Sequence, residues 1–415
     1  MKIAIIGSGI SGLTCAYLLY KKHNITIYES NNYVGGHTNT ISINDDNKDY
    51  NIDTGFIVYN NDTYPNFVKI LNKLKVETQP STMSFSLTCQ QSGLEYGTGS
   101  LSSLFGNKSN IINLKFYKLL FGIITYFKNA KIFLNDNNNF SYTVLDFIKE
   151  SKTNIFTYEK FILPMASAIW STNFNEIEQM PAKYLFEFYK NHDLLSINPT
   201  KKWRVIKGGS KQYVSKLTKP FYDKIRLNTN VLSIQRKNDA VFIKTDSNEQ
   251  EKFDSVIIAC HSDQALKILK DLTSEEKKIL SNIPYQSNQA ILHTDISVLP
   301  KNKKMWSSWN SFIPKEEESK VSLTYNMNIL QSLKSEKTFC VSINMEKYIN
   351  PSKVIKKINY SHPTFNKMSV EAQSKKNKIS GKNNTYFAGA YWRYGFHEDG
   401  VMSALEVCKN FGVKI

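Results

Sequence analysis

The chain has 415 residues, 41% of them apolar and 21% charged, with a formal net charge of +17. This length exceeds one ordinary hydrophobic core and predicts two domains, while the composition excludes a disordered or fibrous chain. Five cysteines, an odd number without a CxxC pair, exclude a disulfide scaffold and a zinc site and suit a reducing compartment.

The positive balance fits an anionic partner, whether nucleic acid, a membrane surface or an acidic substrate, but no compact block of five or more basic residues occurs and no nucleic acid is expected. Lysines scattered over solvated faces account for the charge without any partner.

In chain order, Lys2-Ile3-Ala4-Ile5-Ile6 is an apolar run that predicts a buried strand. It passes into Gly7-Ser8-Gly9-Ile10-Ser11-Gly12. Leu13, Ala16, Tyr17, Leu19 and Tyr20 then recur at helical spacing, and Asn24 to Tyr28 predicts a second strand closed by Glu29. Strand, glycine turn, helix, strand and acid form a βαβ unit suited to a dinucleotide. Gly7 turns the chain out of the strand, Gly9 lets the backbone approach a pyrophosphate, and Gly12 lets the helix pack on the sheet. The helix N-terminus faces the phosphates. Glu29 suits the ribose hydroxyls and repels a 2′-phosphate. Gly35 and Gly36, a second pair six residues on, make FAD the expected ligand in preference to NAD. A signal peptide of the usual form is not expected, because the nucleotide-binding strand starts at residue 2.

A further strand is expected around Asn51 to Val58. Residues 61–200 are mainly helical in pattern, with a hairpin near Phe85 to Tyr96 and a surface loop from Asn135 to Asn139. Ile111 to Leu134 is rich in apolar residues but punctuated by Lys115, Lys118, Lys128 and Lys131. Its longest uncharged stretch, Leu119 to Phe127, is far short of the ~20 residues of a membrane span. It reads either as an interfacial helix that dips into a bilayer or as a core helix with snorkelling lysines. Strands follow at Ile225 to Arg236, Val241 to Thr245, Ser255 to Ala259, Ala290 to Thr294, Lys320 to Tyr325, Phe339 to Ile343 and Thr385 to Ala390. A final helix starts near Asp399.

This layout predicts two interleaved domains of an α/β (α+β overall) chain. A Rossmann-like nucleotide-binding domain takes residues 1–75, 200–265 and 381–415. A substrate domain of mixed sheet and helices takes 76–199 and 266–380, and the active site lies between them.

The chain resembles the flavin amine oxidase superfamily, which includes amine oxidases, protoporphyrinogen oxidases and carotenoid desaturases. Four blocks carry the resemblance: Gly7 to Gly12 with Glu29, Gly35 and Gly36; Ile52 to Phe56; Trp203 to Ser210 with Val231 and Val256 to Ala259; and Tyr386 to Ala390 with Asp399-Gly400-Val401. A narrower resemblance, to bacterial FAD oxidoreductases encoded beside cyclopropane-fatty-acid-synthase-like methyltransferases, rests on five stretches. These are His37 to Thr40, Asp53 to Asn60, Pro164 to Ser171, Ala259 to Asp263 and Gly395 to Gly400.

The resemblance implies a non-covalently bound FAD, because no cysteine falls at the family's attachment position. It places Gly7, Gly9, Ser11 and Gly12 on the pyrophosphate and Glu29 and Ser30 on the adenosine ribose. Gly35, Gly36, His37 and Thr38 approach the ribityl chain and pyrophosphate, with His37 where many relatives carry Arg or Lys. Thr54, Gly55 and Phe56 pass the isoalloxazine, Val231 meets the adenine, and Gly389 and Ala390 return to the pyrophosphate. Asp399, Gly400 and Val401 open the helix that faces the flavin N1–C2=O edge. Trp392 and Tyr394 belong to an aromatic loop beside that helix, and His397 and Glu398 are the acid–base candidates. No metal site is expected, because the histidines show no cluster spacing.

The function so implied is an FAD-dependent oxidase or desaturase acting on a modified, methyl-branched or cyclopropane-type fatty acyl chain of a membrane lipid. Peripheral membrane contact through 111–134, a lipid methyltransferase partner and a cytoplasmic location, at the inner face of the membrane, go with that reading. An amine oxidase for a small amine, a carotenoid-type desaturase and a non-catalytic flavin-binding partner of a methyltransferase are the alternatives.

Overall fold

The computed structural model describes residues 1–136, 141–248, 250–316 and 322–413. Its first sheet has five parallel strands in the order Ile225–Arg226, Asn24–Tyr28, Lys2–Ile6, Ser255–Ile258 and Thr385–Phe387. Strand alternation divides the central strand between two cores. Ile3 and Ile5 face the helices Ile10–Leu19 and His397–Lys409, which pack side by side. Ala4 and Ile6 face a three-stranded antiparallel sheet, Val231–Lys237, Ala240–Thr245 and Gln250–Phe253. Burial on both faces explains why Lys2–Ile6 and Ser255–Ile258 read as continuous apolar runs.

The larger sheet has seven strands, ordered Val354–Pro363, Tyr285–His293, Cys340–Ile343, Ser322–Asn326, Trp309–Ile313, Phe85–Cys89 and Leu94–Gly97. All neighbours are antiparallel except Trp309–Ile313 with Phe85–Cys89. The helices Leu114–Asn135, Val144–Glu150, Leu163–Trp170 and Ala182–Asn191 share a core with this sheet. Among the described residues no helix is long and apolar enough to cross a membrane.

Several expected strands are corrected. Asn51 to Val58 is not one strand: Lys48–Asp53 pairs with Thr40–Asp45, and Val58–Asn60 pairs with Trp203–Ile206 in another sheet. The chain breaks at Gly55, where a Cβ would sit 2.1 Å from the His37 carbonyl oxygen, so this crossing needs glycine. Ile225 to Arg236 splits likewise, because Asn228 takes φ +50° and turns Ile225–Arg226 and Val231–Lys237 into different sheets. Trp309–Ile313 and Val354–Pro363 were not anticipated. The latter is an edge strand paired only with Tyr285–His293 and carries mostly polar side chains. Lys320 and Val321, and residues 137–139 of the expected loop, lie outside the described residues.

Candidate functional site

One cavity of about 1900 Å³ runs from the glycine turn into the larger sheet. The pocket of a single drug-sized ligand measures about 300–1,000 Å³, so the space suits a dinucleotide and a substrate together.

Gly7, Ser8, Gly9 and Ser11 line one end of it. Gly9 is the N-cap of the helix Ile10–Leu19 and has no side chain to satisfy the helix's first N–H groups, which stay available to an anion. A Cβ added at Gly9 would meet no atom within 4 Å. A Cβ at Gly12 would lie 2.0 Å from the Gly7 carbonyl oxygen and 3.3 Å from Ala259 Cβ. Gly9 therefore leaves room for a ligand, whereas Gly12 closes the packing behind it. Glu29 is buried beside this turn. It accepts from Ser8 N–H at 3.0 Å and Ser8 Oγ at 2.6 Å through one oxygen, and from Asn31 N–H and Nδ2, both at 2.8 Å, through the other. Ser30 and Val231 line the cavity on this adenosine side, and Gly35, Gly36, Gly389 and Ala390 line it beside the turn. Gly35 N–H donates to the Ser8 carbonyl at 3.1 Å and so locks the two glycine motifs together.

His37, Gly55, Phe56 and His397 continue the wall at the other end. The His397 ring stacks on Phe56 with centroids 3.5 Å apart and planes 10° apart. Its Nε2 lies 3.0 Å from Thr38 Oγ1 and 2.9 Å from the Tyr213 hydroxyl, which are 2.6 Å from each other. Burial holds its pKa well below the usual value, with His37 adding to the effect. His397 is therefore a neutral ring that fixes Phe56, and no acid–base role is needed to explain it. Burial, and then His261, lower His37 to about 4, so its ring carries no charge near neutral pH.

Six other expected residues lie off the wall. Glu398, an expected acid–base residue, caps a different helix: it accepts from Asn66 N–H at 3.1 Å, Asn66 Nδ2 at 2.6 Å and Phe67 N–H at 2.9 Å, at the start of Pro65–Lys73. Asp399 accepts from Phe396 N–H at 2.9 Å and sits 3.3 Å from Arg393 Nε, and burial pushes it up to about 7. Trp392 is buried against Tyr391 and borders a small surface cleft with Lys376 and Glu406. Thr54 bonds the Asn39 carbonyl at 2.9 Å and the Tyr360 hydroxyl at 2.9 Å. Gly400 packs behind the turn, where Ser11 Oγ donates to its carbonyl at 3.1 Å, and Val401 is in the core. Tyr394 does line the cavity; its carbonyl accepts from Trp170 Nε1 at 3.0 Å.

A residue that the sequence did not single out, His362, stands on the same wall, with its ring centroid 5.3 Å from that of His37. Asn288 Nδ2 donates to the Ser171 carbonyl at 2.7 Å, which fixes the orientation of the amide. The same Nδ2 lies 3.0 Å from His362 Nδ1, so Nδ1 accepts and the proton of the neutral ring sits on Nε2. Burial, and then His37, lower His362 to about 3. It is a donor with a fixed tautomer and no charge. The signal available in the sequence was Tyr360-Ser361-His362-Pro363, a tyrosine and a histidine just before a proline.

These features fit FAD: an anion cradle at Gly9, a carboxylate for the ribose, and a wall of Gly55, Phe56 and His362 at the ring end. The cysteine on the wall is Cys260, at the end of the stretch that packs on Gly7, and burial raises its thiol to about 12. None of the other four cysteines lines the cavity, so no thiol is placed to bond the ring. Among the described residues no group of three or more His, Cys, Asp or Glu side chains is arranged to hold a metal.

Residues 10–329 match the model of one protein family, described as flavin containing amine oxidoreductase. No curated protein matches the chain in sequence. Among solved structures, a CLA-producing fatty acid isomerase from P. acnes is 15% identical with a TM-score of 0.70, covering 99% of this chain and 98% of that one. Cyclohexylamine oxidase from Brevibacterium oxydans IH-35A is 14% identical with a TM-score of 0.70, covering 99% of each chain. Putrescine oxidase bound to putrescine is 12% identical with a TM-score of 0.69, again over 99% of each chain. At these identities the likeness is one of fold.

Proposed function

The chain belongs to the family of flavin containing amine oxidoreductases, and we propose that this FAD-dependent oxidoreductase acts on a fatty acyl chain. One observation carries the substrate: besides the glycine turn and Phe56, the cavity is lined by a cluster of apolar side chains that forms an apolar limb. Leu120, Ile123, Ile124 and Phe127 of the helix Leu114–Asn135 line it together with Phe85, Phe161, Met165 and Ile169. Such a limb suits an alkyl chain, whose burial contributes about 0.8 kcal/mol per methylene.

Bound FAD supplies the acceptor for a hydride from a substrate C–H. The protein holds the reacting carbon in place and excludes water. His397 and Thr38 fix the Phe56 wall, and the apolar limb sets how deep the chain reaches. His362 Nε2–H offers a donor to an oxygen or nitrogen acceptor at the ring end.

A small cationic amine is the competing substrate. The acids on the cavity wall are Glu29 and Asp193. Glu29 is engaged at the adenosine end, and Asp193 is bonded to Thr200. The histidines at the ring end are neutral, so among the described residues no negative charge there balances an ammonium group. The resemblance to oxidoreductases encoded beside cyclopropane-synthase-like enzymes supports a methyl-branched or cyclopropane-type chain.

The test is anaerobic mixing of the holoenzyme with phospholipids bearing straight, methyl-branched or cyclopropane chains, followed by loss of the blue flavin absorption. Mass spectrometry of the lipids identifies the product. Leu120→Trp, which fills the limb, should keep FAD bound and abolish reduction by lipids. Reduction by putrescine or cyclohexylamine, with none by any lipid, would refute the acyl reading.

A further inference from the structure

The helix Leu114–Asn135 is two-sided. Phe116, Leu119, Tyr126, Phe127, Ala130 and Phe133 enter the core. Leu101, Ile112, Leu114 and Phe121, on the opposite side and on the segment before the helix, are 77%, 85%, 77% and 67% exposed. Ile111, Ile124 and Ile132 are exposed as well. Phe105 packs on Phe116 and Tyr117, and the Tyr117 hydroxyl bonds the Ile111 carbonyl, so the preceding segment lies against the first turns of the helix. Single exposed apolar side chains are ordinary, but a group of seven on adjoining segments is not.

Within the chain segment that carries this patch the charged residues are all lysines. Lys108, Lys115, Lys118, Lys128 and Lys131 are exposed, and no Asp or Glu occurs between Tyr96 and Asn135. Lys301, Lys303 and Lys304 are exposed on a neighbouring turn, held there by Asn302 Nδ2 donating to the Gly106 carbonyl at 2.8 Å. The cavity reaches the same place: Leu101 and Ile124 both line it and are exposed, so its apolar limb reaches the surface within the patch.

We infer that this face docks on an anionic lipid bilayer. The apolar side chains enter the acyl boundary and the surrounding lysines meet the headgroups, so an acyl chain passes into the cavity without crossing water. A second copy of this chain is a poor occupant, because it brings the same lysines to the contact. The inference rests on the acyl reading of the cavity for its purpose. Binding is measured without turnover, however, so either can fail alone.

The experiment is flotation of the holoenzyme with vesicles of phosphatidylglycerol or of phosphatidylcholine alone. Wild type should float with phosphatidylglycerol, several-fold less with phosphatidylcholine and less at high salt. The triple variant Ile112→Ser, Leu114→Ser, Phe121→Ser, altered only at exposed positions, should lose about tenfold or more in binding while keeping its flavin and its melting temperature. Lys115, Lys118, Lys128 and Lys131 changed together to Gln should reduce the preference for the anionic lipid several-fold, with Lys108, Lys301, Lys303 and Lys304 retaining the remainder. Met368→Ser, at an exposed site on the helix Lys367–Ser374, should bind as wild type does. Absence of flotation at low salt, or a triple variant that floats like wild type, would overturn the inference. So would concentration-dependent self-association that the triple variant loses, with no vesicle binding, which would assign the face to a second copy.

Discussion

Replacing Gly9 by Val separates the fold of the glycine turn from its ligand. Gly9 has φ −70° and ψ 178°, a conformation any residue adopts, and an added Cβ meets nothing within 4 Å. Loss of backbone freedom in the unfolded chain stabilises the variant by about 0.4–1 kcal/mol, and an apolar residue at an N-cap costs roughly as much, so folding should change by less than about 1 kcal/mol. The same space is where a pyrophosphate reaches the first N–H groups of Ile10–Leu19. Three carbons there hold phosphate oxygens ~3.5 Å away from the added atoms and out of reach of those donors. Losing two charge-assisted hydrogen bonds at about 2–3 kcal/mol each comes to roughly 4–6 kcal/mol. That is on the order of a thousand- to ten-thousand-fold in FAD affinity. Fluorescence titration of FAD-stripped protein reads this directly, with circular dichroism and thermal melting to establish the fold. Gly12→Ala should do the reverse: its Cβ would lie 2.0 Å from a backbone oxygen, so it should destabilise the fold by about 1–3 kcal/mol or more. A folded Gly9→Val protein that binds FAD within threefold of wild type would refute the assignment of the cradle.

Three further outcomes are expected. Glu398→Ala should lower unfolding free energy by about 1–2 kcal/mol, because Asn66 and Phe67 lose their cap, and leave flavin reduction within a few-fold; an unchanged denaturation midpoint with a large rate loss would restore an acid–base role. His362→Phe should shift the visible flavin spectrum and lower the flavin midpoint potential while His362→Gln retains most of both, and identical spectra and potentials in all three proteins would remove His362 from the ring site. The FAD-free protein should lose stability as pH falls from about 6.5 toward 4. His37, His192, His261, His293, His362 and His397 have folded pKa values below the usual 6.5, so the unfolded state binds more protons there and each contributes a slope of up to about 1.4 kcal/mol per pH unit. Asp53, Glu398 and Asp399 are raised by burial and act in the opposite sense, but they are fewer. Urea titrations at pH 7, 6 and 5 measure the slope, and a flat or rising stability toward pH 5 would contradict it.

The nucleotide end was legible in the chain because its physics is local. A strand buried on both faces must be apolar, a tight turn must be glycine, and a carboxylate must close the next strand. All of this lies within Lys2 to Glu29. Gly35 and Gly36 join it through the Gly35 N–H, which is shared between the Ser8 carbonyl and Ser8 Oγ across 27 residues. The expected hairpin at Phe85 to Tyr96 is also local, and it is present as Phe85–Cys89 with Leu94–Gly97.

The reacting end was legible only in part, because long-range contacts decide it. His397 and Glu398 are adjacent in sequence, yet one turns to Thr38 and Tyr213 and lines the cavity while the other caps Pro65–Lys73. Nothing in the order His-Glu-Asp-Gly foretells that, because helix geometry separates neighbouring side chains by about 100° and their partners lie more than 180 residues away. His362 escaped notice because its strand is polar and lies at a sheet edge, where burial leaves no apolar alternation to read. By itself the sequence determined that a dinucleotide is held and by which turn. Only the tertiary structure decided which polar side chains face the ring and where the cavity meets the surface, because side chains from distant segments converge there only once the chain has folded.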